Sequence, residues 1–311
     1  MPPSGKLVIF AQGPHSSMND MSSRRGALLA MGVTVLIWSY SWIVMKQVLR
    51  HAGPFDFAAL RYVGGALVLF AGMAVTGQSL RPPPLGPTIA IGLLQTAAFQ
   101  GLGQLALIAG GAGHVALLVY AMPFWAVLIA WAALGEAPTR RQWTGVALAA
   151  IGLVCVIEPW RGLGNATSTF LALAGGLCWA GATVISKRLF QRHPVPPLSL
   201  TAWQMAFGAG ALSVVALCVP QRPIEWVPAF IAGLAYSVVM ASSIAWALWA
   251  LVVKRLPTAV AAVSTLAVPV ASVGLAWLLL DETVSPAGGL GIAFIVAGLA
   301  AVTGVGRSPG K

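Results

Sequence analysis

Ten long apolar runs, separated by short polar or Pro- and Gly-rich stretches, recur along this 311-residue chain. Each run is near the ~20 residues that a helix needs to cross a bilayer core. The runs are continuous, without the short alternating segments of a membrane β-barrel. They predict helices at about 26–48, 55–77, 86–109, 112–134 and 141–158, then at 168–190, 198–219, 228–252, 257–280 and 286–305. Breaks fall at Gly53-Pro54, Arg81 to Pro84, Gly135 to Pro138, Pro194 to Pro197, Pro220 to Pro223 and Ser285-Pro286, where Pro and Gly punctuate the pattern. The expected organisation is a disordered extension over 1–25, a five-helix unit over 26–158, a linker over 159–167, a second unit over 168–305 and a tail over 306–311.

Composition makes the membrane reading firm. Charged residues are 8% of the chain and hydrophobic residues 58%, with a mean hydropathy of +0.86. An ordinary soluble domain carries about 25% charge. The net charge of +11 does not indicate nucleic acid, because the basic residues are scattered singly or in pairs with no sustained basic face. They do sort by side. Lys6, Arg24, Arg25, Arg81, Arg140, Arg141, Lys187, Arg188, Arg192, Lys254, Arg255, Arg307 and Lys311 share one face of a ten-helix chain. Lys and Arg concentrate in cytoplasmic loops, so both termini are expected there, in a bacterial-type inner membrane. Cys155, Cys178 and Cys218 lie in apolar stretches and are expected to be buried thiols.

The two units are related. An offset of 146 residues sets Pro123 on Pro269, Trp131 on Trp277, Glu136 on Glu282, Gly145 on Gly291 and Gly152 on Gly298. An offset of 141 sets Trp38 on Trp179, Lys46 on Lys187 and Gly92 on Gly233. The difference must arise around the third and eighth helices. Five is odd, so the second unit lies upside down relative to the first. The fold class is therefore all-α and membrane-integral, with ten transmembrane helices in two inverted five-helix repeats. Inverted repeats typify carriers whose substrate sits near the midplane between the halves.

Several of these residues carry a family resemblance. Trp38-Ser39 to Lys46 in the first helix, Arg61-Tyr62 in the second, and the central proline followed by Leu134-Gly135-Glu136 or Leu280-Asp281-Glu282 resemble EamA-type members of the drug/metabolite transporter superfamily. Within it the chain is similar to the YddG-type exporters of aromatic and other amino acids. The resemblance covers about 26 to 305 and implies transport by alternating access.

The chemistry in the helices fits an uncharged path. No G-x-S-x-G, H-E-x-x-H or Walker sequence is present, which argues against a membrane-embedded lipid-modifying enzyme. All seven acids fall outside the helix centres, and the first helix lacks the acid on which the small multidrug exporters rely, so proton antiport of bulky cations is not expected. Candidate substrate-binding residues are Trp38, Ser39, Trp42, Gln100, Gln104, His114, Tyr120, Trp179, Tyr236, Ser243, Trp246 and Ser264. Aromatic rings, hydroxyls and amides suit small amphipathic solutes such as amino acids, whereas sugar phosphates call for clustered Lys or Arg. His114 either senses protons or is a hydrogen-bonded helix-end residue. Lys46 and Lys187 either snorkel or meet a substrate carboxylate from the cavity edge, and Arg61 is read as pairing with backbone or a headgroup. Pro123 and Pro269 should kink their helices and are candidate hinges. Glu136 and Glu282 should cap the fifth and tenth helices. The glycine-spaced fifth and tenth helices should pack backbone to backbone. The expected protein is a monomeric carrier in the lipid bilayer, without nucleic acid, metal, cofactor or ATP; a scaffold role would leave the deep polar residues unexplained.

Reporter fusions test the topology. One at residue 311 and one within 159–167 are expected to report opposite compartments, the first cytoplasmic; matching compartments would rule out the five-plus-five arrangement.

Overall fold

The computed structural model describes residues 15–109, 112–162, 165–280 and 285–303. Among these residues all regular structure is helical and free of strands, and ten helical spans follow in order. Helix 1 is His15–Val48, helix 2 Pro54–Val75, helix 5 Arg140–Ile157, helix 6 Ala166–Arg192, helix 7 Pro197–Cys218 and helix 10 Pro286–Thr303. Helix 3 runs Leu85–Ile91, Gly92–Ala98 and Phe99–Ala109, and helix 8 runs Pro228–Tyr236, Ser237–Ile244 and Ala245–Arg255; the middle piece of each is π-helical. Helix 4 is Ala112–Val119 plus Met122–Leu134, and helix 9 is Thr258–Ser264 plus Ala267–Leu280. Helix 1 starts well ahead of residue 26, because no Pro or Gly stands between Pro14 and Gly26 to stop propagation of the helix.

Helices 1, 8 and 9 form one wall and helices 3, 4 and 6 the other; helices 2 and 7 close one end, and 5 and 10 the other. The first helix begins and the last ends on the same face, where Arg24 Nη2 donates to Thr303 O at 2.7 Å. This is the terminal face below.

The repeat is more regular than the sequence offsets imply. Helices 2 and 7 start at Pro54 and Pro197, an offset of 143, while helices 5 and 10 correspond at 146. Two residues of the drift therefore lie at the end of helix 6, which runs three residues past the mate of Val48 before a loop one residue shorter. The other three lie in helix 8, two ahead of its π segment and one within it. With the ends of the π segments matched, Gly92 pairs with Val238 and not with the expected Gly233.

Pro123 and Pro269 do not bend continuous helices. Each sits just inside the second piece of an interrupted helix. A proline lacks an N–H and its ring clashes with the carbonyl four residues back. The preceding turn tightens instead: Tyr120 N bonds Leu117 O at 3.1 Å and Ala121 N bonds Leu118 O at 3.0 Å, and Thr265 N and Leu266 N do likewise with Ala262 O and Val263 O. The tightened bonds keep these peptides paired in hydrocarbon.

Helices 5 and 10 meet through four glycines. A Cβ at Gly152 would stand 2.6 Å from Gly291 O, and one at Gly298 would stand 2.6 Å from Gly145 O. Helix 5 is capped by Thr139, whose Oγ1 accepts from Gln142 N while Gln142 returns to Thr139 N. Ser285, its repeat mate, accepts from Gly288 N of helix 10 at 2.9 Å. Glu136 therefore does not cap helix 5 as expected, and Glu282 lies outside the described residues.

Gly152→Leu forces the helix 5–10 backbones apart. It is expected to lower stability by about 1–3 kcal/mol, the usual cost of overpacking, read as a lower melting temperature in detergent. Leu substitution at Gly72, which meets nothing within 4 Å, is the control.

Candidate functional site

At the junction of the two halves the walls enclose a cavity. Helix 1 contributes Trp38, Ser41, Trp42 and Met45; helix 2 Arg61; helix 3 Phe99, Gln100, Gly103 and Gln104; helix 4 Val115, Val119 and Tyr120; helix 6 Trp179; and helix 8 Trp246. Trp38, Trp42 and Met45 share one face of helix 1 by their spacing, as Gln100 and Gln104 do on helix 3. Tyr120 lies at the interruption of helix 4, so Pro123 helps to set the ring's position.

The aromatic rings form one box. Trp38 and Trp179, the repeat mates, stand edge-on with centroids 5.7 Å apart. Trp246 lies 4.8 Å from Trp38, and Phe99 stacks on Trp179 at 5.1 Å. Tyr120 and Trp42 extend the box, their rings 6.4 Å apart. Edge-to-face contacts of this kind match each ring's positive rim to its neighbour's negative face.

Polar groups are placed within this apolar lining. Trp42 Nε1 donates to Tyr120 Oη at 3.3 Å. Trp38 Nε1 donates to Ala241 O at 3.2 Å, a carbonyl of the helix 8 π segment. Gln104 Oε1 and Trp179 Nε1 are buried and have no hydrogen-bond partner among the described residues. Arg61 Nε donates to Ser242 Oγ at 2.7 Å. Its repeat mate is Gln204, whose Oε1 accepts from Thr96 Oγ1 at 2.9 Å; Thr96 and Ser242 are themselves mates in the two π segments. Gly65 and Gly208 let the π segments approach: a Cβ on Gly65 would stand 3.0 Å from Ser242 Cβ, and one on Gly208 would stand 2.5 Å from Gly92 O.

Of the sequence candidates, Trp38, Trp42, Gln100, Gln104, Tyr120, Trp179 and Trp246 come together here. Ser39, Tyr236, Ser243 and Ser264 do not line the cavity. Their hydroxyls serve backbone carbonyls: Ser39 bonds Val35 O and Val268 O, Tyr236 bonds Ile37 O, Ser243 bonds Gly65 O and Val238 O, and Ser264 bonds Val260 O. A short hydroxyl on a helix readily reaches a carbonyl of the preceding turn. His114 lies on helix 4, and its side chain is outside the described residues, as is that of Lys46. Lys187 neither snorkels nor lines the box: its Nζ donates to Val253 O at 3.1 Å and Leu256 O at 2.6 Å, capping helix 8. Sequence reasoning missed Phe99, Met45 and the inward course of Arg61, and placed Ser41 among the inward polar groups without choosing it for the site. The spacing of Ser41 and Met45 from Trp38 was the available signal.

The terminal face is tied across the two walls. Glu136 accepts from Thr258 N at 3.0 Å, at the start of helix 9, and from Gln191 Nε2 of helix 6 at 3.2 Å. The cavity instead continues towards the opposite face, since Gln104 also lines a groove formed with Leu49, Gly53, Ile108 and Arg222.

Two inverted five-helix units around a central cavity agree with the comparison to known proteins, where residues 24–158 and again 166–304 match the EamA-like transporter family. The chain belongs to the EamA-like transporter family. Like its family, it is a multi-pass membrane protein and a transporter. It is 28% identical over 292 residues to a probable amino-acid metabolite efflux pump of Salmonella typhimurium, covering 89% of this chain and 94% of that protein. It is 25% identical over 264 residues to the uncharacterized transporter YoaV of Bacillus subtilis, covering 83% and 90%. A solved crystal structure at 23% identity superposes with a TM-score of 0.76 over 91% of this chain and 99% of that one, which shows a shared fold.

Trp38→Ala and Trp179→Ala each open the box and are expected to change flux or selectivity severalfold at unchanged insertion. Trp160→Ala, at a ring 61% exposed and placed at the interface, is expected to be silent. Flux per amount of folded protein checks the three, and equal behaviour would remove both box residues from the site.

Proposed function

We propose that this EamA-family transporter exports aromatic and other neutral amino acids, or similar small metabolites, by alternating access. The observation that carries the reading is the aromatic box at the junction of the halves, with Gln100 and Gln104 on one of its walls. A mostly apolar pocket with a few placed polar groups is the usual form of a small-molecule site. The name of the Salmonella relative, an amino-acid metabolite efflux pump, points the same way. With both termini cytoplasmic, the cavity described here faces outward, and the ties of Glu136 hold the inner side shut. The interruptions before Pro123 and Pro269 supply equivalent flexible points for exchanging the two states. The protein works as a monomer in this reading, with no cofactor.

Purified protein in liposomes tests it. Labelled tryptophan or phenylalanine is expected to enter vesicles preloaded with the unlabelled amino acid faster than empty ones, with little response to an imposed proton gradient. Flux no greater than in protein-free liposomes for every neutral amino acid tried would overturn the proposed cargo. Gradient-driven accumulation that persists in His114→Ala would overturn the uncoupled mechanism.

A further inference from the structure

Arg61 stands out among the groups that line the cavity. It is 8% exposed and contributes to the cavity wall. Of its five N–H donors, the hydrogen bond described uses Nε alone, to Ser242 Oγ at 2.7 Å. Its Cζ lies 5.1 Å from the centre of the Tyr62 ring. Among the described residues no carboxylate pairs with it; Glu225 is hydrogen-bonded to His51 instead. A buried cation without a counter-charge is costly, and this one lines the cavity.

The inverted repeat shows that the charge is not needed to join the helices. Gln204, the mate of Arg61, makes the equivalent contact to Thr96 with a neutral amide. A guanidinium at 61 therefore supplies something beyond this contact. With Nε anchored, the two terminal nitrogens present a planar fork, the geometry that grips a carboxylate through two parallel bonds. The same cavity offers Gln104 Oε1, an acceptor without a partner that suits an ammonium group. The aromatic rings suit an apolar side chain. Lys187, the other buried cation among the described residues, is occupied by the carbonyls of helix 8.

We propose that Arg61 is the carboxylate-binding residue of the transport site, so that the cargo bears a free carboxylate and a cation lacking one is rejected. The proposal deepens the amino-acid reading above and rests on it for the choice of probes. The carboxylate meets the terminal nitrogens of Arg61, which Ser242 holds in place. The ammonium meets Gln104, and the side chain enters the box of Trp38, Trp179 and Trp246.

The test compares binding of L-tryptophan, tryptophan amide and 3-indolepropionate to the detergent-purified protein, at pH 6 where both amino compounds carry an ammonium. The wild type is expected to bind tryptophan about tenfold or more tightly than the amide, the discrimination given by one charge-assisted contact. Arg61→Gln, which copies the neutral arrangement of Gln204, is expected to lose that margin by weakening tryptophan while leaving the amide within about twofold. Equal binding of acid and amide by the wild type would overturn the proposal and leave the transporter reading intact. Equal weakening of both ligands in Arg61→Gln would also overturn it, since that marks a purely structural role. Retention of 3-indolepropionate with loss on Arg61→Gln, but no flux of any amino acid, would support the role of Arg61 while overturning the proposed cargo.

Discussion

In hydrocarbon an unpaired peptide group costs several kcal/mol, and in this chain the departures from regular helix meet partners that answer that cost. The π segments of helices 3 and 8 re-aim Thr96 and Ser242 towards Gln204 and Arg61 of the opposite repeat. The interruptions of helices 4 and 9 tighten their own bonds. Trp38 donates to a π-segment carbonyl, and Ser39 donates to Val268 O beside the break in helix 9. Irregular backbone at this depth is tolerated where it is buried in protein or lines a cavity. The central cavity lies where these irregularities converge.

The same constraint accounts for the division of labour among the helices. Helices 5 and 10 keep regular hydrogen bonding and pack through Gly145, Gly152, Gly291 and Gly298, a contact made possible by small residues. Helices 1, 3, 4, 6 and 8 carry the rings and amides of the box. The repeats are alike in backbone and differ in chemistry: Arg61 stands against Gln204, and Gln104 against Ala250. Duplication supplied two equivalent frames, and the side chains made one cavity between them asymmetric in charge.

Much was legible in the order of residues. Hydropathy marked ten spans, and the pairing of Trp38 with Trp179 and of Gly152 with Gly298 marked the inverted repeat, because run length and repeat order are local or linear properties. The pairing of Gly92 with Gly233 misled, since an offset read from single residues cannot see three extra residues inside one helix. The carboxylate of Glu136 was assigned to the wrong helix: capping was right in kind, but the N–H it meets, that of Thr258, belongs to helix 9, 122 positions along the chain.

The sequence by itself determined the membrane-spanning helices, their inverted repetition and a set of deep aromatic and amide side chains, for these follow from transfer of apolar runs into lipid. Tertiary structure alone decided which of those side chains share a cavity. Ser39, Tyr236, Ser243 and Ser264 turn to backbone carbonyls, whereas Arg61, held by Ser242, lines the cavity. A helix in lipid satisfies its own backbone, so its rotation and neighbours are set by packing against helices distant in sequence, and that packing decides what each polar group faces.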